Sequence, residues 1–329
     1  MGGPYASQTA QVGGLPTIPV DVPVCSVFLV LFLVAAIAHM TLFQRNLKRN
    51  HKFIPSAATF GLCMSRLIAN AIRIAWACHP TNVRLAIAAQ IFVAAGVVIL
   101  FILNLLYAQR ILRAAFPRLG WSQPVSLAFK ALYFVVVLSI IMVITVTIQS
   151  VYTLNSNTHR IDRAVQLYGS TYFAIVSFLP LPIVLGVLLF SHGKKPVDPF
   201  GTGSWYAKAS IIIVVAVLLC LGASFRAGTS WMTPRPLSNP AWYHHKACFY
   251  VFDFGIDLSV AAIFFVARVD RLFYIPDGSS KVHHYGGVIS TISEDKGACG
   301  ATPSPKSSEI RAGRDLEGGD VPRGSLSVL

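Results

Sequence analysis

The sequence predicts an all-α integral membrane protein, a seven-transmembrane helix bundle with its N-terminus outside and its C-terminus in the cytosol. Three observations predict it. The 329-residue chain is 54% hydrophobic and only 12% charged, with a mean hydropathy of +0.62, whereas soluble domains carry about 25% charged residues. Its apolar residues gather in runs near the roughly 20 residues that a spanning helix needs. Its Lys and Arg residues fall between those runs, unequally on the two sides. Ten-residue alternating segments of the β-barrel kind are missing. The formal net charge of +14 is spread over short loops in the manner of orientation signals, so membrane lipid, not nucleic acid, is the expected partner.

Residues 1–21 contain no Lys or Arg and are rich in Gly, Pro and Thr, which predicts a disordered extracellular N-terminus. No basic start or early apolar core marks a cleavable leader. Seven apolar runs follow, at about Val22–Phe43, Pro55–Trp76, Leu85–Ala108, Leu127–Ile148, Gly169–Phe190, Trp205–Phe225 and Ala247–Val266. Residues 22–276 make the seven-helix domain. Residues 277–329, Gly-, Ser- and Pro-rich and charged, make a disordered cytosolic tail with serines and threonines such as Ser290 and Thr291 open to phosphorylation. Counting Lys and Arg in the loops and at the span mouths gives 12 on one side and 6 on the other. The richer side, with Arg45, Lys48, Arg110, Arg113, Arg118, Lys208 and Arg268 among them, is the cytosolic one. The expected membrane is the plasma membrane.

The last run carries two carboxylates, Asp253 and Asp257, four residues apart and so on one face of a helix. A charge at membrane depth is costly unless it is paired, protonated or wet. The second run supplies Arg66 and Arg73, nearly two turns apart, with Asn70 between them. The two runs are antiparallel. At about 1.5 Å per residue, Arg73 and Arg66 lie about 5 and 15 Å below the outer end of their span, and Asp253 and Asp257 about 9 and 15 Å below theirs. These depths predict Arg66–Asp257 and Arg73–Asp253 pairs. Such pairs either lock two spans together or line an outward polar cavity.

Other polar groups point to packing. His39 is expected at an interface. Gln90 and Asn104 suit helix–helix hydrogen bonds. Pro180 and Pro182 should kink the fifth span. Tyr107, Trp121, Trp205, Trp231, Trp242 and Tyr243 suit an interfacial belt. Cys78 and Cys248 could meet in a disulfide, with Cys25 as a competitor, or remain thiols. No GxGxxG, P-loop, HExxH or Gly-x-Ser-x-Gly pattern occurs, and the last span has no lysine for a retinal Schiff base. His79, His244 and His245 lack the in-helix spacing of a metal site. No enzymatic activity and no cofactor are expected.

Three segments, Gly61–Trp76 (GLCMSRLIANAIRIAW), Asn104–Trp121 (NLLYAQRILRAAFPRLGW) and Lys246–Ser279, resemble a family of fungal seven-span proteins of unknown function, sometimes labelled family-C-like G-protein-coupled receptors. The resemblance covers residues 22–280. It implies a fungal membrane protein and brings no ligand, activity or catalytic residue. The large outer ligand domain of true family-C receptors is absent from this sequence. The resulting expectation is a receptor-like sensor of a small ligand held near Arg66, Asn70, Arg73, Asp253 and Asp257, with Arg110, Arg113 and Arg118 offered to a cytosolic signalling protein. The alternative is a transporter or lipid translocator.

Overall fold

The computed structural model describes residues 3–5, 9–191, 196–276, 279 and 285. Its long helices are α1 (Ile18–Leu47), α2 (Ile54–Cys78) and α3 (Val83–Ala115), a short α4 (Pro117–Gly120), then α5 (Gln123–Tyr152), α6 (Ser156–Phe178), α7 (Pro180–Phe190) and α8 (Trp205–Trp231). The last span is composite. It begins as α9 (Lys246–Phe249), passes through a π-helical turn (Tyr250–Gly255) and continues as α10 (Ile256–Val266), with α11 (Val269–Leu272) beyond. Among the described residues the β-structure is one isolated antiparallel bridge, Thr9–Pro236.

Among the described residues, six helical stretches are long and apolar enough to cross a membrane: Ile18–Leu47, Val83–Ala115, Gln123–Tyr152, Ser156–Phe190, Trp205–Trp231 and Lys246–Val266. α2 is the expected span outside that set. It is 25 residues long, but Arg66, Asn70 and Arg73 dilute its apolar character. All three are buried, so its polar stripe faces protein. α1 and α5 do the reverse. They expose Val30, Val34 and Ile37, and Phe134, Leu138 and Ile141, which is how a lipid-facing surface looks, because hydrocarbon solvates apolar side chains as well as a core does.

Backbone chemistry explains the ends and breaks. Ser204 caps α8 by accepting from the Ala207 N–H at 3.2 Å, and Asn82 caps α3 by accepting from Arg84 at 3.1 Å. The fifth span breaks at Leu179, between α6 and α7, because Pro180 and Pro182 supply no N–H to the turn before them. This span begins at Ser156, well before the expected Gly169, so Arg160 and Arg163 lie on a helix and not in a loop.

Several expectations are corrected. Residues 9–21 are ordered: Ala10 donates to the Arg235 carbonyl at 2.8 Å, Gly13 donates to the His244 carbonyl at 3.1 Å, and α1 starts at Ile18. Asp21, assigned by sequence to a disordered stretch, is fully buried. His39 is buried, bonded to the Ala261 carbonyl at 3.1 Å. Tyr107 is a core residue packed on Phe264 and Phe273. Asn104 is buried, but among the described residues neither of its amide atoms has a hydrogen-bond partner. Lys208 turns inward, donates to the Phe200 carbonyl and sits 4.4 Å from that ring centroid. The five described cysteines are free thiols. The tail after Pro276, with its phosphorylation candidates, lies outside the described residues except for Ser279 and Tyr285.

Candidate functional site

The polar cluster forms where α1, α2, α3, α8 and the last span meet. Arg66 and Asp257 make the deepest pair. The guanidinium reaches Oδ2 of Asp257 through Nε at 2.7 Å and Nη2 at 2.5 Å, and both side chains are wholly shielded from solvent. Nη1 of Arg66 donates to the Val93 carbonyl at 2.9 Å. Helical carbonyls keep a second lone pair for such a donor. Gly96 makes the approach possible, since a Cβ there would lie 3.1 Å from the Arg66 Cζ. Asn70 sits between the arginines as expected, but it donates to the Arg66 carbonyl at 2.8 Å, so it braces α2 without touching the acids.

The second expected pair does not form. Arg73 turns to Asp21, with Nη2–Oδ1 at 2.8 Å and Nε–Oδ1 at 3.0 Å. It also donates to the Gly13 carbonyl at 2.8 Å and stacks 4.2 Å over Phe249. Asp21 gathers further donors: the Tyr250 hydroxyl at 2.7 Å, the Thr17 N–H at 2.7 Å, and Lys246. Asp253 pairs instead with Arg226 of α8, Nη1–Oδ1 at 3.1 Å. Two features explain the exchange. The π turn widens the helix at Tyr250–Gly255 and rotates Asp253 off the face that an unbroken α-helix would share with Asp257. Gly222 lets α8 close on that turn, since a Cβ there would lie 3.1 Å from the Phe252 carbonyl oxygen, and Arg226 stands one turn further along.

Above this cluster, at the end of the bundle where α1 begins, lies a cavity of about 260 Å³. Its wall is mostly apolar, from Val12, Ala69, Trp76, Ala89, Val93, Ala94 and Phe249, and Arg73, Arg226, Asp253, Gln11 and Gln90 converge on it. Gln90 donates to the Gln11 side-chain oxygen at 2.5 Å, which fastens the N-terminal segment to α3.

The opposite end of the bundle turns several of its charges inward. Arg110 donates to the Phe273 carbonyl and lies beside Phe53 and Tyr107. Arg113 donates to the Gly120 carbonyl at 3.2 Å and stacks 4.1 Å over Trp121. Of the three arginines offered to a cytosolic partner, Arg118 is the exposed one. Asp270 accepts from Asn46 at 3.0 Å and from Arg268 at 3.1 Å, tying α11 to α1. Burial would raise its pKa, but these bonds hold it below the usual carboxylate range.

Sequence reasoning missed Asp21, Arg226, Lys246 and Tyr250. A signal was present for Asp21, an unpaired acid at the mouth of an apolar run. Arg226 and Lys246 belong to the six Lys and Arg of the poorer side in the orientation count, which says nothing about internal partners. Among the described residues, no group of three or more His, Cys, Asp or Glu side chains is placed to hold a metal ion.

The fold and its buried charges define the class: an all-helical integral membrane protein. Residues 201–274 match a family model described as a protein of unknown function, DUF3112. The matched stretch is less than a quarter of the chain and contains Arg226, Asp253, Asp257 and Asp270. No curated protein and no solved structure matches.

Proposed function

We propose that this is a fungal seven-span protein of the plasma membrane, N-terminus outside, that senses a small ligand in the cavity at its outer end. One observation carries the reading. A largely apolar cavity of about 260 Å³ receives Arg73, Arg226 and Asp253 next to a π turn in the last span, and few polar groups converging on an apolar pocket are the usual form of a ligand site. α2 supplies the seventh crossing, with its arginines paired inward. A ligand that engages Arg226 or Asp253 would bias the π turn. The rigid Arg66–Asp257 pair below would pass that bias down the last span toward α11 and a cytosolic signalling protein. We assign no catalytic role to the chain.

A second reading, transport, is favoured by a separate observation. Buried polar groups continue below Asp257 along α1 and the last span: His39, whose Nδ1 has no partner among the described residues, then Asn46 and Asp270. The test is a tagged full-length protein extracted in mild detergent and probed for a co-purifying G-protein α subunit, beside a flux assay in proteoliposomes. Co-purification supports the sensor. Flux without co-purification overturns it in favour of transport, and neither result sinks both readings.

A further inference from the structure

The charges around the cavity do not balance. Asp21 serves two cations, Arg73 and Lys246, and Asp253 serves Arg226. Three cations thus face two carboxylates. The excess is directed at the cavity. Arg73 is 4% exposed, yet its Nη1 has no hydrogen bond among the described residues. Arg226 commits only Nη1 to Asp253, and its side chain is 24% exposed. A cationic donor that keeps access to the cavity and has no protein acceptor is stabilised by an anion placed beside it, through a charge-assisted hydrogen bond. The rest of the wall offers Trp76, Val93 and Phe249 to an apolar body. A cavity of about 150 Å³ holds benzene, so this one has room for a ring with a short polar arm.

Resting on the sensor reading, we propose that the ligand is a small organic carboxylate: a monoanionic head between Arg73 and Arg226, with an apolar body against Trp76 and Phe249. A neutral ligand leaves the surplus cation uncompensated. An amine adds to the surplus and would depend on Asp253 alone, whose Oδ1 Arg226 already takes. The same head chemistry could arrive from water as a free acid or from the bilayer as a fatty acid.

The test uses the full chain in phosphatidylcholine nanodiscs, with thermal stabilisation as the readout and four probes: phenylacetate, phenylacetamide, phenethylamine and laurate. We expect phenylacetate or laurate to stabilise the protein, and the amide to bind at least ~10-fold more weakly, the loss of one charge-assisted hydrogen bond. Phenylacetate binding identifies a water-borne source and laurate alone a membrane one. Arg226→Gln should weaken the carboxylate by a similar factor, whereas Asp253→Asn, which releases Arg226, should tighten it. A purely structural Arg226–Asp253 pair predicts no such opposition. Equal binding of acid and amide overturns the proposal, as does preference for the amine or binding of no probe. The comparison of acid with amide needs no variant, so a misfolded substitution does not blunt it. Amine preference leaves the sensor reading standing, because that reading is judged by co-purification without these probes.

Discussion

Asp253 and Asp257 are the same residue type, four positions apart on one span, and each meets an arginine, yet their surroundings differ. Arg66–Asp257 is sealed at 0% exposure on both sides. Arg226–Asp253 stands at 24% and 5% beside a cavity. The difference teaches that burial, not residue identity, separates a clasp from a candidate binding site. A sealed pair has no route by which a ligand could compete, and breaking it strands a charge in a low-dielectric interior. An open pair can exchange one partner for a ligand at small cost.

The largest expected effect falls on the sealed pair. Arg66→Glu places two carboxylates together and should abolish monodisperse protein on size-exclusion chromatography, since stranding one buried charge alone costs about 3–5 kcal/mol. Adding Asp257→Arg should restore part of the folded fraction. Equal expression and thermal stability of wild type and Arg66→Glu would break the comparison at its root.

Asp21→Asn comes next. It weakens the acceptor shared by Arg73, Lys246 and Tyr250, and a loss of about 3 kcal/mol is expected, as hydrogen bonds to charged groups contribute about 1.5–3 each. Lowered thermal stability should come with faster amide exchange over residues 9–21. Unchanged exchange there would show that the N-terminal segment is held by other contacts.

Arg226→Gln should cost less than Arg66→Glu, about 1–3 kcal/mol, because Asp253 is buried but borders the cavity and glutamine keeps a donor within its reach. A drop as deep as that of Arg66→Glu would show that both pairs are clasps and erase the distinction.

The smallest effect concerns pH at the closing loop. Burial pushes His244 below the ordinary imidazole range, and its carbonyl accepts from Gly13. A lowered folded-state value means that the unfolded chain takes up a proton first. The contribution of neutral His244 is therefore present above about pH 6.5 and fades as the pH falls through the folded value. Thermal stability should fall slightly between about pH 7.5 and 5.5, and His244→Gln should flatten that slope. A steeper slope in the variant would reverse the sign of the argument.

How legible the site was depended on distance along the chain and on helix register. Arg66 and Asp257 could be matched from depth alone, because a constant rise per residue fixes how far each lies along its span and few charges compete there. Arg73 could not be matched, since two carboxylates stood within reach and depth does not encode rotation about the helix axis. The π turn supplied that rotation, and nothing in Tyr250–Gly255 announces it. Asp21 escaped because a Gly- and Pro-rich stretch reads as disordered until long-range partners such as Arg235, His244 and Gln90 order it. Arg110 and Arg113 were read as loop charges because positive residues between apolar runs look alike whether they face water or an aromatic ring.

The sequence by itself determined the class of molecule, the places where its main helices run, and the need for internal partners to its buried charges, because bilayer thickness and the cost of charge in hydrocarbon act on local composition. The tertiary structure decided which partner each charge takes, that the N-terminal segment closes one end of the bundle, and that a cavity opens beside Asp253. Those outcomes depend on helix rotation and on close approaches at Gly96 and Gly222, where the missing side chain gains its meaning only from the helix packed against it.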